Sequence, residues 1–574
     1  MKPMSSNTFK LTFITAAIVS STTASAALYQ VVEVTPDLTY NSDYVSAYGV
    51  AIQPGVATNG SSTLSKGCFD SSATNCSISN FTLGGETRVT KTNAGEAVDG
   101  LSFREEAPFS MDNAFYNIQD SDDFENYCDN QLLYSTCETW ASLRWNLWNK
   151  EITGDTTVNS YAFTGSSTSG TLVNSTYNTV INSIDSSGDP VGIQLTPGDV
   201  TSYRRNTVDA LADDITTTDY LQSRAWKTDG TYTIGSVSTS ATNTNGTYYS
   251  SKAAMWNASD IVELNWPSGT EVYNNSAIAQ GSLRDFVIVD GTIYAVGFNS
   301  FYSNRNYMEA SISKVAEGSF DTASSWTTVG VTNAKVYTNG GTSGDHIYSN
   351  TRLTSVNSNL IAIGEAKRQG SAPSNGAAAN RLFVVSDVSA SSPSATFLSD
   401  GIFFDGAGGK AGAINNYNEI VGQIDAESTR EASGKPRRKR GFIYPYNGTG
   451  TDSDRRAVFN NQGWWLDNLT NGGTYSNNNN QYRIIDATDI NDAGVISATA
   501  LKCDGGYDTT SYNATCGGGS QDETTVAIKL VPIVGATSDD ISSRGTDDTA
   551  TERKGAGVGL WMLAVLGFLG FRRK

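Results

Sequence analysis

Histidine is nearly missing from this chain of 574 residues: His346 is the only one. That excludes metal centres built on several histidines and makes any Ser-His-Asp triad hang on one side chain. His346 stands in the Gly/Ser-rich stretch NGGTSGDHIYSN, which reads as a surface loop. A Walker loop, a dinucleotide fingerprint, a Gly-x-Ser-x-Gly elbow and a His-Glu-x-x-His motif are all absent. Basic charge is scarce too: 39 Lys and Arg stand against 58 Asp and Glu, a formal net charge of −19. So acidic a chain is no general binder of nucleic acid, and solubility outside the cell explains the acidity.

Cysteine is sparse but patterned. The six residues form three close pairs, Cys68 with Cys76, Cys128 with Cys137, and Cys503 with Cys516. An even count with local pairing in an exported chain predicts three disulfides. Metal binding is the weaker reading, because the gaps exceed Cys-x-x-Cys spacing and histidine is missing.

Long apolar runs occur only at the two ends. Lys2 and Lys10 flank the start of an apolar stretch, Leu11 to Ser20, and Ala24-Ser25-Ala26 follows. This predicts a signal peptide over 1–26, cut by signal peptidase between Ala26 and Ala27. Gly555 to Phe571 is uncharged and apolar, and Arg572-Arg573-Lys574 ends the chain. About 17 apolar residues is the lower limit for a membrane span, so 555–574 is expected to be a transmembrane tail. Its basic end stays cytoplasmic, which leaves the rest on the periplasmic side. Residues 537–554 are polar and charged and read as a flexible stalk.

The body, 27–536, is predicted to be all-β. Short runs rich in Val, Ile and aromatics recur between turn residues, as at Tyr29–Val34, Phe286–Val289 and Ile443–Tyr446. The exception is 130–152, where Trp140, Leu143, Leu147 and Trp148 recur every three to four residues, predicting a small helical insertion. Core packing is the preferred role of its tryptophans, ahead of a ligand platform. Asp120, Asp122, Asp123, Glu125 and Asp129 precede it. They lack the ordered spacing of a calcium loop, so a solvated acidic loop is preferred and calcium, the one cofactor considered, is unsupported.

A weak internal repeat organises the body. AINNYNEIVGQ (413–423), TDINDAGVISAT (488–499), SVNSNLIAIGE (355–365) and VIVDGTIYAVGF (287–298) share one plan: a turn of Asn, Asp and Gly leads into a short apolar strand ending in a small residue. The small residues Gly235, Gly297, Gly364, Gly422 and Ser497 are 62, 67, 58 and 75 positions apart. A lone hairpin leaves its apolar face wet, so such units must stack. A period of about 60 suits a decorated four-stranded blade, and the length then predicts a seven- or eight-bladed β-propeller.

The same stretches resemble the Ile-Asn-x-x-Gly-x-Val-Val-Gly core of HAF-type extracellular repeats. The start ALYQVVEVTP and the ending AIKLVP are similar to an uncharacterised family of exported γ-proteobacterial proteins. The tail, reading Gly555-Ala556-Gly557 before its apolar stretch, resembles the GlyGly-type sorting signals of Gram-negative bacteria. That likeness implies cutting near the glycines by a rhomboid-like protease, a secretion system, and a product at the cell surface. No activity is implied.

Two function classes remain. One is a non-enzymatic binding or adhesion module at the cell envelope, whose Tyr/Trp-rich loops contact glycan or protein. The other is an extracellular polysaccharide hydrolase using paired carboxylates, for which Glu105-Glu106 is one place to look. The run Lys435, Arg437, Arg438, Lys439 and Arg440 could contact a polyanion such as lipopolysaccharide phosphate, though a solvated hairpin loop is the preferred reading.

Overall fold

A computed structural model describes residues 27–36, 44–99 and 120–546, apart from 156, 197–206, 212–219, 221, 245, 274–276, 302–305, 338–345 and 400. The expected signal peptide, the transmembrane tail and Glu105-Glu106 lie outside the described residues. No helix among the described residues is long and apolar enough to cross a membrane.

The body is all-β, as its composition predicts. Its strands form five large sheets in a propeller arrangement, of nine, seven, four, five and four strands. The ring closes between the two ends of the body. Tyr29–Glu33 runs antiparallel to Glu523–Pro532, with Tyr29 opposite Pro532 and Glu33 opposite Ile528. Ala27 and Leu28 are already buried, and the Leu28 amide donates to the Leu469 carbonyl at 2.9 Å.

The expectation of seven or eight blades is corrected to five sheets. The repeat counts antiparallel units, and two sheets each merge two of them through a single parallel bridge. Ser46 pairs Thr525 in the nine-stranded sheet, and Val208 pairs Gln222 in the seven-stranded one.

The repeated small residues have a packing cause. In each unit the innermost strand carries a bulge opposite the second strand, at Ala225/Lys227, Leu283/Asp285, Leu353/Ser355, Ala411/Ile414 and Ala487/Asp489. The bulge presses an inner-strand carbonyl onto its neighbour. A Cβ at Gly297 would lie 2.0 Å from the Ser282 oxygen, and one at Gly235 1.8 Å from that of Arg224. Only glycine fits so close an approach. In the serine copy, Thr488 Oγ1 meets the Ser497 oxygens at 3.1 and 3.2 Å instead. The Asp290-Gly291 turn joins two strands with both residues at positive φ (49° and 70°), the geometry a two-residue hairpin needs.

In three repeats the turn Asn links neighbouring units. Asn357 Nδ2 donates to the Asn415 carbonyl at 2.9 Å, Asn415 Nδ2 to that of Asn491 at 3.1 Å, and Asn491 Nδ2 to that of Gln53 at 3.0 Å. Each Asn also accepts from its own turn, as Asn415 Oδ1 does from Tyr417 and Glu419 at 3.0 Å. Apolar clusters such as Ile361, Ile363, Phe403, Ile420 and Phe442 fill the space between sheets. Interlocked side chains and satisfied amides thus stand in for a conventional central core.

The helical insertion is a pair of helices and not the single one expected over 130–152. Helix α1 spans Ser121–Tyr127 and α2 spans Cys137–Ile152, with a π-helical turn, Cys128–Leu132, between them. Asp120 caps α1 by accepting from the Asp123 amide at 3.0 Å, so part of the acidic run serves the helix start. Trp148 packs with Phe124, Tyr127 and Ala141, as core packing requires. All three cysteine pairs are bonded, with Cα–Cα distances of 5.6, 5.4 and 5.5 Å. Residues 537–546, expected to be part of a flexible stalk, pack on the body. Arg544 is buried, and its guanidinium donates to the Asp467 and Thr510 carbonyls at 2.8 and 2.9 Å, fastening 537–546 to the body.

Candidate functional site

A bulge re-aims the side chain that follows it, which is why bulges gather beside functional sites. The residues just past four of the bulges are Lys227, Asp285, Ser355 and Asp489, and they meet around the axis of the ring. Lys227 Nζ stands 3.7 Å from Asp285 Oδ1. Asp285 Oδ2 accepts from Ser355 Oγ at 2.7 Å and from the Val356 amide at 3.1 Å. Ser355 Oγ in turn accepts from the Ile414 amide at 3.3 Å. Asp489 Oδ2 accepts from the Ile52 amide and Oδ1 from the Ile490 amide, both at 2.9 Å.

Burial pushes the Asp489 carboxyl above its ordinary range, against the pull of Lys227. Asp285 raises Lys227 in spite of the lysine's own burial, and Asp489 adds to it. With 36% of its side chain still open, Lys227 faces solvent at the axis and is not sealed in a packed core. A carboxyl with a raised pKa near a second one is an arrangement glycosidases use. Here, however, all four oxygens of Asp285 and Asp489 already accept backbone or side-chain donors, the Phe286 amide completing the set at 2.9 Å.

The other buried acids are committed in the same way. Glu86 Oε1 accepts from the Ile181 amide at 3.0 Å, and Glu365 Oε2 from that of Ala411 at 3.1 Å. Glu419 holds Arg455 through two bonds of 2.6 and 2.8 Å. Glu86 and Glu365 fasten one sheet to the next and Glu419 ties its own unit together, at a cost that close pairing offsets.

The helical insertion is tied across two sheets. Ser135 donates to the Gly434 carbonyl at 2.8 Å, Ser433 to that of Leu133 at 2.7 Å, and Lys367 Nζ to that of Gln131 at 3.3 Å. Polar groups gather beneath it. Burial raises the Tyr134 hydroxyl and the Glu431 carboxyl, and lowers the Arg144 guanidinium to about 10.

The basic run is corrected from a solvated loop to a largely internal device. Arg437 is buried and pairs Asp425 at 3.0 Å, Lys439 pairs the same carboxylate, and Arg440 meets Asp467 at 3.2 Å. Lys435 is exposed, and Arg438 is half-buried, 4.0 Å from Glu427. A polyanion contact spread over all five is not available. His346 likewise leaves its expected loop: it opens the strand His346–Val356 and meets the Tyr307 ring edge-on at 5.0 Å. Among the described residues no group of three or more His, Cys, Asp or Glu is placed to hold a metal ion.

Sequence reasoning missed Lys227, Asp285, Ser355 and Asp489. A signal was present, since each lies in the strand paired with a repeated small residue, but the bulge that aims it inward leaves no mark in composition.

Residues 232–574 match the family model described as "Protein of unknown function (DUF3466)". No curated protein matches the chain. Among solved structures it is similar to the α-L-arabinofuranosidase Arb93A from Fusarium graminearum, at 9% identity over 88% of this chain and 99% of that one, with a TM-score of 0.27. It is also similar to a putative glycosidase from Bacteroides thetaiotaomicron, at 9% identity over 54% of this chain and 85% of that one, with a TM-score of 0.22. Likenesses this small carry no argument about activity.

Proposed function

We propose, from the premise that this chain belongs to the DUF3466 family of proteins of unknown function, that it is an exported, non-enzymatic binding protein of the cell envelope. Its rigid propeller displays loops to a glycan or protein ligand. The observation that carries this reading is that the axial acids are engaged in hydrogen bonds within the fold. Asp285 Oδ2 and Asp489 Oδ2 accept from Ser355 and Ile52 of neighbouring units, and each Oδ1 accepts from the amide next in the chain. Three bonded cysteine pairs support an oxidising compartment. In this reading residues 1–26 are removed by signal peptidase, and 555–574 anchors the chain or is cut by a rhomboid-like protease.

The test is a panel of neutral and acidic polysaccharides offered to purified 27–546, with binding and reducing-end release both measured. Binding without release is expected. Release that disappears in Asp489→Asn would replace this reading with the hydrolase. Intact mass from membrane, periplasmic and medium fractions tests the tail: a chain ending near Gly555–Gly559 outside the cell means sorting, and a full-length one in the membrane means anchoring.

A further inference from the structure

The strands Glu419–Asp425 and Lys439–Pro445 run antiparallel, and Asp425 stands opposite Lys439 where the hairpin opens into the loop 426–438. Their side chains meet, Lys439 Nζ against Asp425 Oδ1, with Asp425 fully buried and 16% of the Lys439 side chain open. Gly408 lies beside both: a Cβ there would stand 3.1 Å from Asp425 Oδ2 and 3.4 Å from Lys439 Nζ. The second carboxylate oxygen faces two other donors. Asp425 Oδ2 accepts from the Gly408 amide at 2.7 Å and from Arg437 Nη1 at 3.0 Å. Arg437 is itself fixed by the Thr429, Gly406 and Asn375 carbonyls at 2.5, 2.6 and 2.7 Å.

A third group completes the set. Glu431 is buried and accepts from the Arg437 amide at 2.8 Å. Burial raises its carboxyl, Lys439 opposes that shift and Asp425 adds to it, so the three groups act on one another. Burial works against the Lys439 ammonium, but Asp425, Glu431 and Glu96 outweigh it and raise the lysine. The resting pair is therefore an ammonium against a buried carboxylate, whose desolvation a neutral bond would relieve. An amine on a carboxyl, a second carboxyl to carry protons, and two donors on the spare oxygen are what amide formation needs.

We propose that Lys439 and Asp425 condense into an intramolecular amide that staples the base of the loop 426–438. Glu431 relays one ammonium proton to Asp425 Oδ1, and the freed Nζ lone pair forms a bond to Cγ. The Gly408 amide and Arg437 hold the negative charge that develops on Oδ2. The Cγ–Oδ1 bond then breaks, and Oδ1 leaves as water with two of the three ammonium protons, the third staying on the amide nitrogen. No oxidant, reductant or further reactant is consumed. The contact held by the fold supplies the effective concentration, and Oδ2 keeps both donors as the amide oxygen. The loop so closed carries the exposed Lys435 and the half-buried Arg438, so a protease cutting there would leave the two strands joined. The link does not depend on what the propeller binds.

The experiment is peptide mapping of the purified full chain, denatured, reduced and digested with trypsin. Trypsin cuts after Lys410, Arg430, Arg438 and Arg440, whereas an acylated Lys439 resists it. The expected product is one branched peptide, 411–430 joined to Lys439-Arg440, lighter by one water than the two pieces together. Lys439→Met and Asp425→Ala should each return 411–430 unlinked. Glu431→Gln fills the same space without the proton-carrying carboxyl, and should yield unlinked 411–430 from a chain whose circular dichroism matches wild type. Linking undiminished in Glu431→Gln would overturn the relay. Unlinked 411–430 from folded wild type, after prolonged incubation at neutral pH, would overturn the amide itself. The wild-type map alone decides that point, so a variant that fails to fold leaves it testable.

Discussion

Lys529→Met tests how a fold with so polar an interior is held. Lys529 is fully buried on the strand Glu523–Pro532, and its ammonium donates to four backbone carbonyls: Ile78 at 2.9 Å, Asn80 at 2.8 Å, Phe81 at 2.9 Å and Ser166 at 2.7 Å. Three N–H groups thus serve four acceptors, and among them is Phe81, held at φ 60°. Each charged hydrogen bond contributes about 1.5–3 kcal/mol, and burying the ammonium costs several kcal/mol in return. Methionine fills the space but strands the carbonyls, and water reaches those at Ile78 and Ser166, which are exposed residues. The expected net loss is about 2–4 kcal/mol in urea unfolding at pH 7.

Burial lowers Lys529 to about 8. Below pH 8 the lysine is protonated in both folded and unfolded chains, so its contribution is constant. Between about 8 and its unfolded value of about 10.4 the unfolded chain holds more protons, and stability gains with rising pH. The wild-type advantage over Lys529→Met should therefore widen by about 2 kcal/mol from pH 7 to pH 9.5. A loss below about 0.5 kcal/mol at pH 7 would refute the bridging role. A gap that stays flat with pH would show that the carbonyls, and not burial, set the lysine's protonation.

Three further outcomes follow from the same geometry. Gly297→Ala drives a Cβ to 2.0 Å from the Ser282 oxygen and should cost about 2–4 kcal/mol by thermal or urea unfolding, whereas Gly318→Ala, with nothing within 4 Å, should cost under about 1. Glu419→Gln leaves the buried Arg455 without its carboxylate and should lose about 3–5 kcal/mol, with urea unfolding as the check. Burial raises Glu431, so the folded chain holds its proton to higher pH than the unfolded one, and this group's stability is lost as pH rises above about 4.3. Glu431→Gln should therefore gain on wild type as pH rises above about 4.3, and urea midpoints moving in parallel would count against it.

What could be read in advance was what repeats. The alternation of short apolar runs and Asn/Asp/Gly turns identifies an all-β ring, and the spacing of Gly235, Gly297, Gly364 and Gly422 marks the second strand of successive units. Local cysteine spacing gives the three bonded pairs for the same reason: each partner is near in the chain. What could not be read depends on distant partners. Nothing near Lys439 in the chain says that Asp425 will neutralise it, and nothing near Arg440 says that Asp467, Trp465 and Tyr512 will enclose it. The basic run looked like a surface feature because composition records charge and not burial. The sheet count failed for a related reason, since single bridges at Ser46–Thr525 and Val208–Gln222 join units that are far apart or separately patterned in sequence. A repeat therefore predicts the scaffold of such a protein better than its site. The glycine opposite each bulge must recur because every unit makes the same close approach, whereas Lys227, Asp285, Ser355 and Asp489 occupy equivalent places with different chemistry. The place is set by the fold, and the residue filling it is free to differ from unit to unit, which is how a ring of like hairpins acquires an axis with distinct charges on different sides.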